Sequence, residues 1–421
     1  YRPSNMSNPA IHWEKQQQVN VGLDLGFIQD KIMFTADYYY KISNDMLMDM
    51  QLPSYMGTSG NGSAVINAPK GNYGSILNQG VELTLNINPF RGKKVEWESN
   101  IQVSVNRNKL LALDGTENAA LVGKGQWDDV ISRTLVGESL YNFYGYEVEG
   151  IYQDYEDIMN SPKADCFPVP DANGNISFNR KNTVWPGDLK FKDVNGDGQI
   201  TAADKTNIGS PLPKFTFGWT NTLRFFGVDL TVFFNGSYGN KIYNYTAMGS
   251  AISNTSISSM KSTWTNQLAD VVETRAQLQP INPDKQYPCQ DAAGNTIYNW
   301  YDDVTNVKVG NPDAKNPRAS INANPNLNSR ESSRYVEDGS YLRLKNLVLG
   351  YTLPKKVLKK MHFDNFRVYL NIQNLFTITK YTGYDPEVGA STQDATGLTF
   401  GVDNGRYPSP TTYAIGLNIG F

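Results

Sequence analysis

Apolar residues recur at every second position over segments of about ten residues, and this pattern constrains the chain more than anything else in it. Val19, Val21, Leu23, Leu25 and Phe27 alternate with Asn20, Gly22, Asp24 and Gly26. Ile32, Phe34, Ala36, Tyr38, Tyr40 and Ile42 continue after a tight break at Gln29-Asp30. The same alternation returns in Val81–Ile87, Ile101–Val105, Phe215–Trp219, Val228–Phe234, Phe366–Ile372 and Tyr413–Phe421. Tyr341–Tyr351 is a ninth segment that changes phase. Leu342 and Leu344 share one face, Leu347, Leu349 and Tyr351 the other, so an extra residue near Asn346 predicts a bulge. About ten residues is the length a tilted strand needs to cross a bilayer. A soluble sandwich would bury the apolar face on a second sheet. A membrane barrel would turn it to lipid and line its interior with the polar one.

The connections decide between these. Gln29-Asp30, Asn88 to Lys94, Phe226-Gly227 and Pro354 to Asn365 are short. Asp49 to Ser75, Asp114 to Ser139, Asp154 to Pro213, Asn244 to Asp338 and Thr379 to Pro410 are long and rich in Asn, Gly, Pro, Ser and Asp. Such loops are rare in compact soluble domains. Outer-membrane barrels have them on the extracellular side, with short turns on the other. The fold expected is all-β, a transmembrane antiparallel barrel with long extracellular loops. If Phe421 lies at the periplasmic end, the strand at Val19 runs the same way as the last, which requires an odd number. Leu140–Tyr152 is either part of an extracellular excursion or a hidden hairpin, so nine or eleven strands are expected.

Composition removes other classes. The 421 residues carry a net charge of -3, without the basic face that nucleic acid requires, so no nucleic-acid partner is expected. No run approaches the ~18 apolar residues of a membrane helix. Cys166 and Cys289 lie far apart in polar sequence, where either a disulfide or two free thiols is compatible. His12 and His362 share no zinc-ligand spacing. Tyr1-Arg2-Pro3-Ser4 is neither an initiator methionine nor a leader, which is the start expected of a processed chain or of a piece of a longer one.

Several stretches resemble a known family. PGDLKFKDVNGDGQI (Pro186–Ile200), VEDGSYLRLKNLVLGYTLP (Val336–Pro354) and FRVYLNIQNLFTITKYTGYDPE (Phe366–Glu387) are similar to the C-terminal half of SusC/RagA-like TonB-linked outer-membrane transporters. Asn8–Phe27, Tyr144–Gln153 and the terminal Phe421 extend the likeness along the chain. The resemblance implies barrels of about 22 strands with a plugged lumen, of which residues 1–421 would supply the C-terminal half. The plug and the TonB-contacting segment of the family are not found in this sequence. It also implies energy-coupled import of oligosaccharides or peptides, contact with membrane lipid and with TonB through the missing region, a SusD-like surface lipoprotein as lid, and a dimer of transporter–lipoprotein pairs.

One motif carries metal chemistry. Asp193, Asn195, Asp197, Gly198, Gln199, Thr201 and Asp204 fall at positions one, three, five, six, seven, nine and twelve of a calcium loop. A hard cation takes oxygens from alternate residues, a tight glycine turn and a closing carboxylate. Gln199 would give its carbonyl, and Asp204 replaces the usual Glu. The candidate metal residues are therefore Asp193, Asn195, Asp197, Gln199 and Asp204, with Ca2+ as the ion. The plainer alternative is a turn held by Asx hydrogen bonds.

Other features have structural readings beside them. The glycines of Gly57–Gly62 lack the strand–helix context of a phosphate loop. Lys355, Lys356, Lys359 and Lys360 form a solvated turn or a contact for anionic lipid. Tyr141, Tyr144, Tyr146, Tyr152, Trp185, Tyr243, Tyr245, Trp264, Trp300 and Tyr301 are girdle residues or ligand-stacking ones. Sequence does not separate these two roles, so no substrate residue is assigned. Asp128-Asp129 and Asp302-Asp303 are taken as solvated loop pairs. No nucleophile elbow or zinc signature is present, and no enzyme is expected. A passive porin-like channel is the alternative function, with a calcium-binding β-rich adhesin or carbohydrate-binding protein behind it.

Overall fold

The computed structural model describes residues 7–49, 69–90, 94–115, 119–125, 129–180, 182–250, 269–290, 294–318, 326–389 and 397–421. Nine long strands form one antiparallel sheet in chain order. They are β1 (Lys15–Phe27), β2 (Ile32–Asp49), β3 (Lys70–Ile87), β4 (Val95–Ala112), β5 (Phe215–Phe225), β6 (Val228–Tyr238), β7 (Tyr341–Thr352), β8 (Asn365–Thr379) and β9 (Thr412–Gly420). Each corresponds to one alternating segment, and nine is among the counts that parity allows.

The register carries the alternation from strand to strand. Leu25, Phe34, Leu85, Ile101, Trp219, Phe234, Leu344 and Phe376 stand on one rung. One residue along, the rung is Asp24, Thr35, Thr84, Gln102, Gly218, Asn235, Arg343 and Thr377. Paired residues in an antiparallel sheet point the same way, so the sheet has one apolar face and one polar face. Among the described residues no second layer covers the apolar face. Leu23, Phe234's rung-mate Trp219, Ile415 and Leu417 are among its exposed residues. Only lipid provides the burial such a face needs. The expected bulge is present: β7 pairs with β6 and β8 through Leu344 and Asn346, and Lys345 is left out of both registers.

Close strand packing asks for glycine at chosen points. Tyr369 of β8 lies across Gly416 of β9, where a Cβ would run into the tyrosine ring. Among the described residues, β1 pairs only with β2 and β9 only with β8. Each unpaired backbone group in hydrocarbon costs several kcal/mol, so these two edges require further strands in the membrane.

Connections at one end are short, at 28–31, 88–94, 226–227 and 353–364. Phe226 and Gly227 both have positive φ, as a two-residue hairpin turn demands. At the other end lie 50–69, 113–214, 239–340 and 380–411. Leu140–Tyr152 belongs to the second of these long connections. Its strands at Phe143–Gly145 and Val148–Ile151 join small sheets there and not the main one, which settles its place as an excursion.

Candidate functional site: the lumen wall and the loops above it

The long connections pack into a layer with its own cores. Ile131 and Phe143 from the second, Tyr243, Tyr245, Met248 and Tyr335 from the third, and Val402 from the fourth form one cluster. Tyr152, Ile158, Val184, Trp185, Val304 and Val307 form another. Tyr152, Trp185, Tyr243 and Tyr245 were expected as girdle or ligand-stacking residues. They are instead core residues of the loop layer, at most 2% exposed. Burial pushes the Tyr335 phenol up to about 12, so it stays neutral in this core.

Buried charge fastens the layer. Asp188 is fully buried and accepts from Arg318 through both oxygens, at 2.8 and 3.1 Å. Asn328 Nδ2 and the Trp185 amide, each at 3.0 Å, add two more donors. The pair is thus both charge-matched and hydrogen-bonded, the condition for a stable buried ion pair. Arg330 lies over the rings of Tyr146 and Phe191 and pairs with Asp165 at 3.1 Å. These contacts join the second and third connections.

Below the loops, the polar face of the sheet forms a hydrogen-bonded wall. Thr35 donates to Asp24 at 2.6 Å, and Thr222 and Thr231 meet at 3.3 Å. Arg367 grips Asp229 in a fork of 2.9 and 2.5 Å, and Arg224 lies 3.6 Å from Glu96. Near the loop end the bulge gathers charge. Arg343 donates to Thr377 at 2.8 Å, to Glu387 at 2.6 Å and to Asp385 at 2.5 Å, while Lys345 reaches Glu387 at 2.9 Å. The sequence reading assigned none of these a role. Asp188, Arg343, Asp385 and Glu387 nevertheless all lie inside the family-like stretches, where an ionisable residue in a strand or a buried loop is the signal to follow.

The calcium-type residues come together in one closed loop. Asp193 accepts from the amides of Gly196 and Gly198 at 2.6 and 2.7 Å, and Asn195 from Asp197 at 2.9 Å. Asp197 accepts from Gln199 at 2.8 Å. Asp204 is fully buried and accepts from Val194 at 2.9 Å and Thr201 at 2.7 Å. Its burial favours the neutral acid, but the amides of Thr201, Val194 and Asn195 outweigh this and lower its pKa. These are Asx turns and a helix cap. Among the described residues no three His, Cys, Asp or Glu side chains converge as around a bound metal. Ile200 is buried, as the spacing anticipates.

The remaining candidates have local partners. Asp129 accepts from the Tyr245 hydroxyl at 2.6 Å, and Asp302 pairs with Arg180 at 3.3 Å. Asp303 caps the short helix at Val304–Asn306. Cys166 and Cys289 are free thiols. His12 sits 3.6 Å from Asp45, and His362 ends the helix Lys355–Met361, which carries the four lysines at the short-turn end. The ring of Phe421 meets Phe363 at 5.3 Å beside that helix. Gly57–Gly62, Asp128 and Trp264 lie outside the described residues.

Comparison with known proteins agrees with this architecture. Residues 1–163 match the family model "TonB dependent receptor-like, beta-barrel". TonB-dependent receptor P3 of Formosa agariphila is 30% identical across 99% of this chain, which covers 35% of that protein. TonB-dependent receptor SusC of Bacteroides thetaiotaomicron is 24% identical across 98% of the chain, which covers 32% of it. The solved structure of the RagAB peptide transporter superposes with a TM-score of 0.65 at 22% identity, over 99% of this chain and 36% of its own, a likeness of fold. The chain thus spans about a third of the length of these relatives. Its likeness is to the barrel part of TonB-dependent receptors, and its nine long strands form a wall of the kind that outer-membrane barrels have.

Proposed function

We propose that the chain serves as part of an energy-coupled importer of oligosaccharides or peptides and not as an enzyme. The observation that carries this is the continuous polar face of the nine strands, roofed by loops packed on buried cores. A passive pore needs the polar wall but not so large a fastened roof. The plug and TonB-contacting segments would be supplied by sequence other than residues 1–421, of which this chain would be the C-terminal barrel part. A SusD-like lipoprotein would close over the loop layer, and two such pairs would associate. Likeness to SusC and to the RagAB peptide transporter supports pairing with a second protein, and the association of two pairs is part of the proposal. The test uses the whole receptor in its native outer membrane. Uptake of labelled oligosaccharides or peptides should stop when a protonophore collapses the proton-motive force. Uptake that persists would identify a passive channel instead. Co-purification of a surface lipoprotein tests the lid.

We also propose that the loop from Asp193 to Asp204 takes up Ca2+. Its donors are carboxylates, an amide oxygen and a main-chain carbonyl, the hard oxygens that Ca2+ prefers. The loop is already closed by its own amides, so the ion would stiffen an extracellular loop and do no chemistry. Calcium titration of the receptor by calorimetry should show a site that Asp193→Asn with Asp197→Asn removes. Equal heats with and without those changes would dismiss it.

A further inference from the structure

The fourth long connection does not run outward from β8. Arg343 stands on a polar rung of β7, and its side chain is only 4% exposed because Asp385 and Glu387 cover it. Both acids belong to the connection that follows Thr379. Arg343 is the third residue of β7, so residues 385–387 lie back over the polar face at its loop end. Asp385 then holds both limbs of the connection, accepting from the amides of Glu387 at 2.9 Å and Ser409 at 3.0 Å. Tyr381 donates to Asp403 at 2.6 Å, and Thr382 donates twice to Glu337 at 2.8 Å. These bonds fix the chain on both sides of Tyr384, at Thr382 and at Asp385, yet Tyr384 is 67% exposed. On the other limb Tyr407, two residues from Ser409, is 86% exposed.

A large aromatic that is two-thirds exposed, in a loop fixed over the polar face, is placed to meet whatever passes. We propose that residues 380–389 and 403–409 of this connection form a fixed inward shelf, with Tyr384 and Tyr407 as contact residues for the transported molecule. Arg343 is its positioning residue, and the bulge at Lys345 lets a second cation hold Glu387. The ligand chemistry is a flat apolar face with polar edges, as a sugar ring or a peptide side chain presents. This rests on the importer reading and adds the subsite.

The test is made on the whole receptor in intact cells, with Cys166 and Cys289 replaced by alanine. Tyr384→Cys is compared with Tyr298→Cys, which is equally exposed but lies on the hairpin of Tyr287–Gln290 and Thr296–Asn299. A small methanethiosulfonate should label both. A long poly(ethylene glycol) maleimide should label only Tyr298→Cys. Glu387→Gln, and independently Arg343→Met, should restore the bulky label at Tyr384→Cys. Equal labelling of both positions by the bulky reagent overturns the shelf without any substrate being known. A tryptic digest of casein and a partial hydrolysate of xylan then serve as probes. Whichever competes for uptake by the unaltered receptor should protect Tyr384→Cys from the small reagent and leave Tyr298→Cys unprotected, which also separates peptide from glycan. Competition without protection overturns the contact role.

Discussion

The nine-strand sheet and the loop layer bury apolar residues in opposite ways. On the sheet, Val21, Leu23, Ile415 and Leu417 remain exposed within the chain and find their burial in lipid. In the loops, Trp185, Tyr243 and Phe143 are fully buried by other loop residues. Backbone ladders hold the sheet, so its side chains are free to face two solvents. The loops have short ladders and depend on side-chain cores, of which the Asp188–Arg318 pair is the most buried fastening. The membrane wall therefore tolerates polar variation on one face only, while the loops tolerate little at their cores.

The largest effect expected is in the loops. Arg318→Met leaves Asp188 buried without its cation and should destabilise the loop layer by about 3–5 kcal/mol. Limited proteolysis should then cut the second and third connections while the barrel keeps its heat-modifiable mobility on gels. Unchanged cleavage would mean that the pair holds nothing.

A charge on the sheet comes next. Leu85→Arg on the lipid face should impair assembly, by less than the about 2–4 kcal/mol that an arginine costs at the bilayer midplane, because Leu85 lies two residues from the short-turn end of β3. Thr84→Arg, one residue away and facing the lumen, should leave assembly nearly intact. Equal losses in the two variants would break the contrast between faces.

A smaller effect is expected with pH. At Asp385 burial favours the neutral acid, but the amides of Ser409 and Glu387 and then Arg343 outweigh it, so its pKa is lowered. A lowered folded pKa means stability that is fully present above the unfolded value and lost as pH falls through the folded one. The protection factors of amides in 380–389 and 397–411, that is, exchange corrected for its intrinsic pH dependence, should therefore be flat above about pH 4 and fall below it. Protection that is lost between pH 8 and 6 would point to another group. The smallest effect belongs to the half-exposed Lys192–Glu147 pair, 3.0 Å apart. Glu147→Gln should change loop stability by less than about 1 kcal/mol.

The barrel strands were legible because lipid imposes a strict period of two. Where that constraint ends, so does the signal. The alternation marks β2 only to Ile42, yet the strand continues to Asp49, and β3 begins at Lys70 and not at Val81. The register shifts near Ser43 and Ser75, so no single phase runs through these extensions. The bulge was visible as a phase change between Leu344 and Leu347. The loop cores were not, since Tyr152, Trp185 and Tyr243 come from distant segments whose meeting no local period records. The calcium-type spacing located a real closed loop, because Asx turns and calcium loops ask for the same residues at the same steps. The Arg343 latch was hidden because its partners sit more than forty positions along the chain.

The central claim is that one sheet face meets lipid and the other lines an aqueous lumen. It is tested most directly by single spin labels at Glu82, Leu83, Thr84, Leu85 and Asn86 of the whole receptor in bilayers. Collision with oxygen should dominate at Leu83 and Leu85, and collision with a water-soluble nickel chelate at Glu82, Thr84 and Asn86. A profile without this alternation, or with all five positions equally wet, would contradict a membrane wall.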